Sequence, residues 1–188
     1  MQRRKKLRRD AEERRERVLA AAAELFQNEG YLVPLEKVAQ KAGVTRPTIY
    51  RSFPDRGALA IAIFKGHLAR LASLIEVCSS GREAFERLLL EIAAISAVYG
   101  PLGAAVQSDP AASDAVAALK AEFHAISERV LAAARAEEAI ASTISVDDVE
   151  FLAQMIAGPS HYLPEDQKSA SIRHALGKLM SGVSPRKP

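Results

Sequence analysis

The chain has one cysteine, Cys78, and no tryptophan. A single cysteine excludes an intrachain disulfide and a cysteine-based metal cluster. It fits a reducing cytoplasm, with the thiol expected as a small core residue. Nowhere do apolar and polar residues alternate with the two-residue period of a half-buried strand, so no sheet is expected. There is no glycine-rich phosphate loop, internal repeat or nucleophile elbow. His67, His124, His161 and His174 lack the His-Glu-x-x-His spacing of a zinc site. Enzyme, cofactor and metal classes therefore have no support, and none is expected. No run of about 18 uninterrupted apolar residues occurs, so no membrane span is expected. The charged N-terminus does not look like a secretory signal.

What is present is an apolar-rich chain of 188 residues, 48% hydrophobic, with mean hydropathy near zero. That suits a soluble protein of one or two domains with a real core. Charge is distributed unevenly. Residues 1–66 hold 15 Lys and Arg against 8 Asp and Glu, whereas the remainder holds 11 against 15. A basic third joined to an acidic remainder suits a DNA-binding head on a body with another task.

The most informative stretch runs from Leu35 to Phe53. Leu35, Val38, Ala39 and Ala42 recur at three- and four-residue steps, one face of a two-turn helix. Gly43 stands where a helix ends in a left-handed residue. Thr45 is placed to cap the next helix with its hydroxyl, and Pro47 is tolerated in a first turn because its missing N–H has no intrahelical partner there. Ile49 and Phe53 pack inward; Pro47, Thr48, Tyr50 and Arg51 cover the outward arc. A plain helical hairpin would carry aliphatics on that arc. A short helix, a glycine turn and a second helix with a polar arc make a helix-turn-helix that reads DNA.

Around it, Met1–Arg9 is a basic arm containing Arg3, Arg4, Lys5 and Lys6. It is expected to be disordered and to gain phosphate contacts on DNA. A first helix follows from Asp10 to Glu29, burying Val18, Ala22, Leu25 and Phe26, with early acidic residues that suit its dipole. Phe53-Pro54 ends the recognition helix, and Asp55 caps a long helix from Ala58 to Val77, in which Gly66 implies close packing or a bend. Arg82–Tyr99 is apolar almost all round and expected to be buried on most sides, stopped by Gly100-Pro101. Glu91 there reaches either solvent or a ligand. A long helix runs to about Ala139 with Phe123 and His124 facing inward. Two short striped helices, Asp147–Ala157 and Ser169–Met180, close the chain, and a disordered tail follows from Gly182.

Leu25-Phe26, Gly30-Tyr31, Val38-Ala39, Ala42-Gly43-Val44, Ile49-Tyr50-Arg51, Phe53-Pro54 and Leu59 together resemble the N-terminal domain of the tetracycline-repressor (TetR) family of bacterial transcriptional regulators. The likeness covers about the first third of the chain. It departs at Arg56, where the family usually has lysine, and in the linker Tyr31-Leu32-Val33-Pro34, which lacks the common threonine cap.

The expected fold is all-α: a three-helix DNA-binding domain over residues 10–54, then a helical ligand-binding and dimerisation bundle over 55–181. Arg46, Thr48 and Arg51 are expected to face the major groove. By resemblance, Thr45, Tyr50 and Arg56 hold phosphates. The resemblance also implies a homodimer through the last two helices, with Leu152, Met155, Ile156, Ile172, Leu176 and Leu179 as candidate contacts, on a roughly palindromic operator. Helix position makes His67, Leu71, Leu89, Glu91, Tyr99 and Phe123 candidate linings for a hydrophobic or aromatic small-molecule effector that releases a repressor. The rival reading is a helical small-molecule-binding or catalytic protein whose helix-turn-helix is incidental.

Overall fold

A computed structural model describes residues 2–183. Eight α-helices follow one another: α1 Gln2–Glu29, α2 Leu35–Ala42, α3 Arg46–Ser52, α4 Arg56–Glu76, α5 Gly81–Gln107, α6 Ser113–Ala136, α7 Val146–Ala157 and α8 Glu165–Val183. Short 3-10 turns occur at Pro110–Ala112 and Gly158–Tyr162. No strand is present among the described residues. The chain divides into two compact units. One is Met1–Gly66 with Pro101–Leu119, the other His67–Gly100 with Lys120–Pro188. The first unit is thus larger than the expected domain over 10–54, taking in half of α4, the end of α5, the turn after it and the start of α6.

In the first unit α1 contributes Val18, Ala22, Leu25 and Phe26 to the core, α2 contributes Leu35, Val38, Ala39 and Ala42, and Ile49, Phe53 and Leu59 complete it. Two surface ion pairs, Lys37 with Glu29 and Lys41 with Glu24, join α1 to α2. Exposed pairs of this kind contribute about 0–1 kcal/mol, so apolar burial holds the helices together. The linker splits its apolar residues: Val33 is buried, whereas Leu32 is 73% exposed.

The basic residues expected as a disordered arm are helical, because α1 begins at Gln2. Arginine, lysine and leucine are good helix formers, and a helix already nucleated in the alanine-rich segment extends at little cost. Arg9 and Glu13 add an ion pair one turn apart. The early start also removes the expected dipole effect, since no acidic residue lies in the first turn. The side chains of Arg3, Arg4, Lys5 and Lys6 lie outside the described residues, as do residues 184–188 of the expected tail.

A second correction concerns α5, which passes through Gly100-Pro101 to Gln107. An interior proline costs about 3 kcal/mol. Beyond it, Leu102 and Val106 are buried in the first unit, each contributing about 1.5–3 kcal/mol, which offsets that loss. The same segment leads to Asp109, whose carboxylate accepts from the Tyr31 hydroxyl at 2.7 Å. The Arg56 guanidinium lies 5.3 Å over the Tyr31 ring. Gly57 permits this assembly: a Cβ there would stand 3.3 Å from the Tyr31 hydroxyl and 3.4 Å from Ala112.

The second unit buries Leu68, Leu71, Phe85, Leu88, Leu89, Val130, Leu131, Val149, Ile156, Ile172 and Leu176. Here α5 is less enclosed than its composition suggests, with Leu90, Ile92 and Ile95 half-buried and Val98 exposed. Both α4 and α5 are long and apolar enough to cross a membrane by length and composition alone, yet each carries residues packed inside these helical units. His124 is exposed beside buried Phe123, and Cys78 sits half-buried in the loop after α4, outside the core. Gly66 has open space around it, which removes close packing as its reason. Gly81 is the tight position instead: a Cβ there would lie 2.5 Å from the backbone of Ala133 and Ala134.

Two outcomes are expected. In thermal unfolding, Gly66→Ala raises stability by up to about 1 kcal/mol, while Gly81→Ala lowers it because helix backbone would have to move. The second concerns Tyr31, whose hydroxyl is pushed up to about 12 by burial first and then by the Asp109 hydrogen bond. A raised folded value means the contribution is complete below the unfolded tyrosine range near 10 and is lost as pH rises through about 12. Asp109 is held below its usual range chiefly by that hydroxyl, so its share is present above about pH 4 and lost in stronger acid. The difference in denaturation midpoint between wild type and Tyr31→Phe should therefore be flat across neutral pH and shrink at both extremes.

Candidate nucleic-acid interface

The recognition element is assembled from the turn outward. Gly43 adopts φ 65° and ψ 37°, the left-handed conformation that stops α2. Its N–H reaches the Gln40 carbonyl at 3.2 Å, and the Val44 N–H reaches Ala39 at 3.0 Å. This pair of bonds is the Schellman closure. Thr45 takes the N-cap position of α3 in extended geometry, and its carbonyl accepts from the N–H groups of Thr48 and Ile49. Its side chain departs from expectation: it makes no cap hydrogen bond and instead pairs with the Thr48 hydroxyl at 2.8 Å. With Thr48 half-buried, a hydroxyl-to-hydroxyl bond competes with the cap.

Ile49 is the one fully buried residue of α3. Phe53, the C-cap, is also buried, and the Arg15 guanidinium of α1 lies 4.9 Å over its ring. With Thr48 half-buried, the rest of α3 faces outward: Arg46, Pro47, Tyr50, Arg51 and Ser52 are exposed. Glu36, in the first turn of α2, reaches the same surface. Its Oε1 accepts from the Tyr50 hydroxyl at 2.8 Å and pairs with Arg46 Nη2 at 3.0 Å, and the Arg46 guanidinium lies 5.5 Å over the Tyr50 ring. Its own backbone N–H, then Tyr50 and Arg46, hold the Glu36 carboxyl below the usual range. Sequence reading missed Glu36. The signal was there, because a residue in the first turn of α2 lies close to the start of a helix that crosses it.

Arg56, expected at a phosphate, is exposed but stacks on Tyr31. At α4's start the Asp55 carboxylate accepts from the Ala58 N–H at 2.7 Å, the expected cap.

Of the six candidate effector residues, Leu71, Leu89 and Phe123 are buried. The His67 and Tyr99 rings meet at 5.0 Å, and Glu91 pairs with Arg87 at 3.9 Å. Burial, then Arg70, lowers the His67 pKa, which favours the neutral imidazole. None of the six lines the open cleft of about 380 Å³ bounded by Ile75, Cys78, Gly81, Arg129 and Glu137. There the Glu137 carboxylate accepts from the Gly81 and Arg82 N–H groups that begin α5. Among the described residues no three His, Cys, Asp or Glu are placed to hold a metal.

The six candidate dimer contacts divide by burial. Ile156, Ile172 and Leu176 are buried within the single chain, because α7 and α8 first pack on their own unit. Met155 is 54% exposed, and Phe151, not foreseen, is 63% exposed; Leu152 and Leu179 are half-buried.

These features define a helix-turn-helix within an all-helical chain, an arrangement it shares with DNA-binding regulators. Residues 18–63 match the family described as bacterial regulatory proteins, tetR family. It is 32% identical over 78 residues to an uncharacterised HTH-type transcriptional regulator of Mycobacterium bovis, a match spanning 41% of each chain. It is 36% identical over 63 residues to the HTH-type transcriptional activator FasR of Mycolicibacterium smegmatis, covering 33% of this chain and 29% of that one. The chain thus matches less than half the length of these curated relatives. Among solved structures, a TetR transcriptional regulator from Streptomyces coelicolor is 27% identical with a TM-score of 0.61, covering 92% of this chain and 99% of that one.

The geometry carries a test of its own. Replacing Ile49 with alanine should cost about 2–5 kcal/mol. Amide exchange should show α3 opening before the alanine-rich half of α1; equal protection throughout the head would refute the dependence on this one side chain.

Proposed function

We propose that the chain is a homodimeric transcriptional repressor that reads duplex DNA with α3 and releases it on binding a small hydrophobic or aromatic effector. The observation that carries the DNA reading is the outward arc of α3, where Arg46, Tyr50 and Arg51 stand exposed on a helix anchored by Ile49. The excess of basic residues in the same third of the chain supports it. In this reading Arg46 and Arg51 address base edges. Tyr50, Thr45 and the basic start of α1, including Arg3, Arg4, Lys5 and Lys6, address phosphates and set the register. Arg56 contributes through its charge, since its guanidinium rests on Tyr31.

The functional head is residues 10–54, and the body from 55 to 181 carries the effector and the second copy. Dimer contact falls to the outward apolar side chains of α7 and α8, Phe151, Leu152, Met155 and Leu179. Two-fold symmetry then calls for a roughly palindromic operator with half-sites about one helical turn apart. The effector lodges in the second unit beside His67 and Tyr99, with Leu71, Leu89, Glu91 and Phe123 as further lining. Its binding acts on α4, which begins at Arg56, shortly after α3 ends at Ser52. It must favour one of two conformations by differential affinity, because equal binding to both shifts nothing.

The experiment is selection of a site from a random duplex pool, followed by protection mapping and salt titration. Enrichment of a palindrome is expected, with affinity falling steeply as salt rises. Arg51→Ala should lose discrimination at one base position in each half-site, about 1–3 kcal/mol, while Tyr50→Phe should weaken all sequences alike. A flat salt curve and no enriched sequence would refute the reading.

A further inference from the structure

One acceptor oxygen of Glu36 holds two outward groups of α3, the Tyr50 hydroxyl at 2.8 Å and Arg46 Nη2 at 3.0 Å. The pairing is one-sided in a useful way. A guanidinium carries five N–H donors in a rigid fork, more than one carboxylate oxygen can take up, so the pair leaves donors for another acceptor. With its plane also resting on the Tyr50 ring, the Arg46 side chain is fixed from two sides on an exposed surface. An arginine left unheld there would sample many rotamers and settle on whichever phosphate was nearest.

We propose that Glu36 is a specificity-determining residue of the DNA-reading surface: it positions Arg46 for a base edge and repels phosphates that would otherwise capture it. This rests on the DNA-binding reading above. Two physical effects act together. The carboxylate holds the guanidinium in one orientation, so a bidentate contact with guanine loses less side-chain freedom on forming. Its negative charge also lies on the face that meets a polyanion, within the roughly 10 Å over which charges act at 0.1 M salt, so sequence-independent adhesion is weakened. The first effect strengthens the selected complex and the second weakens the random one. Glu36 therefore widens the gap between them from both sides.

The test uses the full-length chain and the duplex it selects from a random pool, compared with a scrambled duplex of the same composition. Glu36→Gln keeps the size and an acceptor oxygen while removing the charge. Affinity for scrambled DNA should rise about threefold to tenfold at 0.1 M salt, the worth of roughly one ionic phosphate contact. Affinity for the selected duplex should fall, and a fresh selection with the variant should show a weakened preference at one base pair per half-site. The thermal midpoint should hardly change, since an exposed pair contributes little to folding. In an Arg46→Ala background, Glu36→Gln should still raise scrambled binding but no longer affect the base preference. If Glu36→Gln shifts both duplexes by the same factor, Glu36 acts by charge alone and the positioning role is overturned. If the wild-type chain selects no sequence, the DNA-reading proposal itself fails, an outcome distinct from the first.

Discussion

The structure depends on a helix that cannot stand by itself. With seven residues, α3 is far below the length at which an isolated helix persists in water, about 12–15 residues. Its backbone is held because Ile49 is buried and Phe53 is tucked beneath it, and because Gly43 aims the chain with a left-handed turn that other residues adopt only under strain. The outward arc is therefore only as well placed as the inward residues allow. Preorganisation of Arg46, Tyr50 and Arg51 is a consequence of packing: α3 rests on α2, which in turn packs on α1.

That dependence explains which features were legible in the sequence. Gly43, Pro47, Phe53-Pro54 and the three- and four-residue steps of α2 each report a local backbone requirement, and local requirements survive in one sequence read alone. Thr45 marked the start of α3 correctly, but its hydroxyl chose Thr48 over the backbone, a competition between two bonds of similar strength that no spacing reveals. The basic start of α1 failed for the opposite reason. Charge density argued for disorder, while helix propensity and continuity with a stable segment decide the backbone. At Gly100-Pro101 a strong local stop signal gave way to the burial of Leu102 and Val106, which belongs to the tertiary level. In α7 the pattern is apolar on two sides, with Val149 and Ile156 inward and Phe151 and Met155 outward. Periodicity shows that such a helix has two faces to satisfy and is silent on which one meets its own chain.

Carboxylates on the first unit refine the meaning of its positive charge. Lys37, Lys41 and Arg46 are each paired with a glutamate, and Arg56 lies close enough to Asp109 to lower its pKa. The two tyrosines of this unit, Tyr31 and Tyr50, each donate to a carboxylate, Asp109 and Glu36. Pairing removes equal charge of both signs, so the formal excess is unchanged; what it decides is which cations are already held. Arg51 on the outward arc of α3 stands outside these pairs, whereas Arg46 is held in one of them.

The number of those donors then limits what one copy can do. A good bidentate arginine contributes about 1–3 kcal/mol of discrimination, and α3 presents two arginines. Against the roughly 10⁶–10⁹ competing sites of a genome, two such contacts leave a single head lost among near matches. Doubling the reader multiplies the selectivity without lengthening the helix, which the short segment between Gly43 and Pro54 could not accommodate. A second copy requires a surface that the first does not use internally. Phe151 and Met155, left outward on a helix whose other face is already buried, are apolar groups that gain by being covered. In the dimer proposed above, the short recognition helix and the exposed residues of α7 are linked: pairing through the latter would supply the second reader that the brevity of the former calls for.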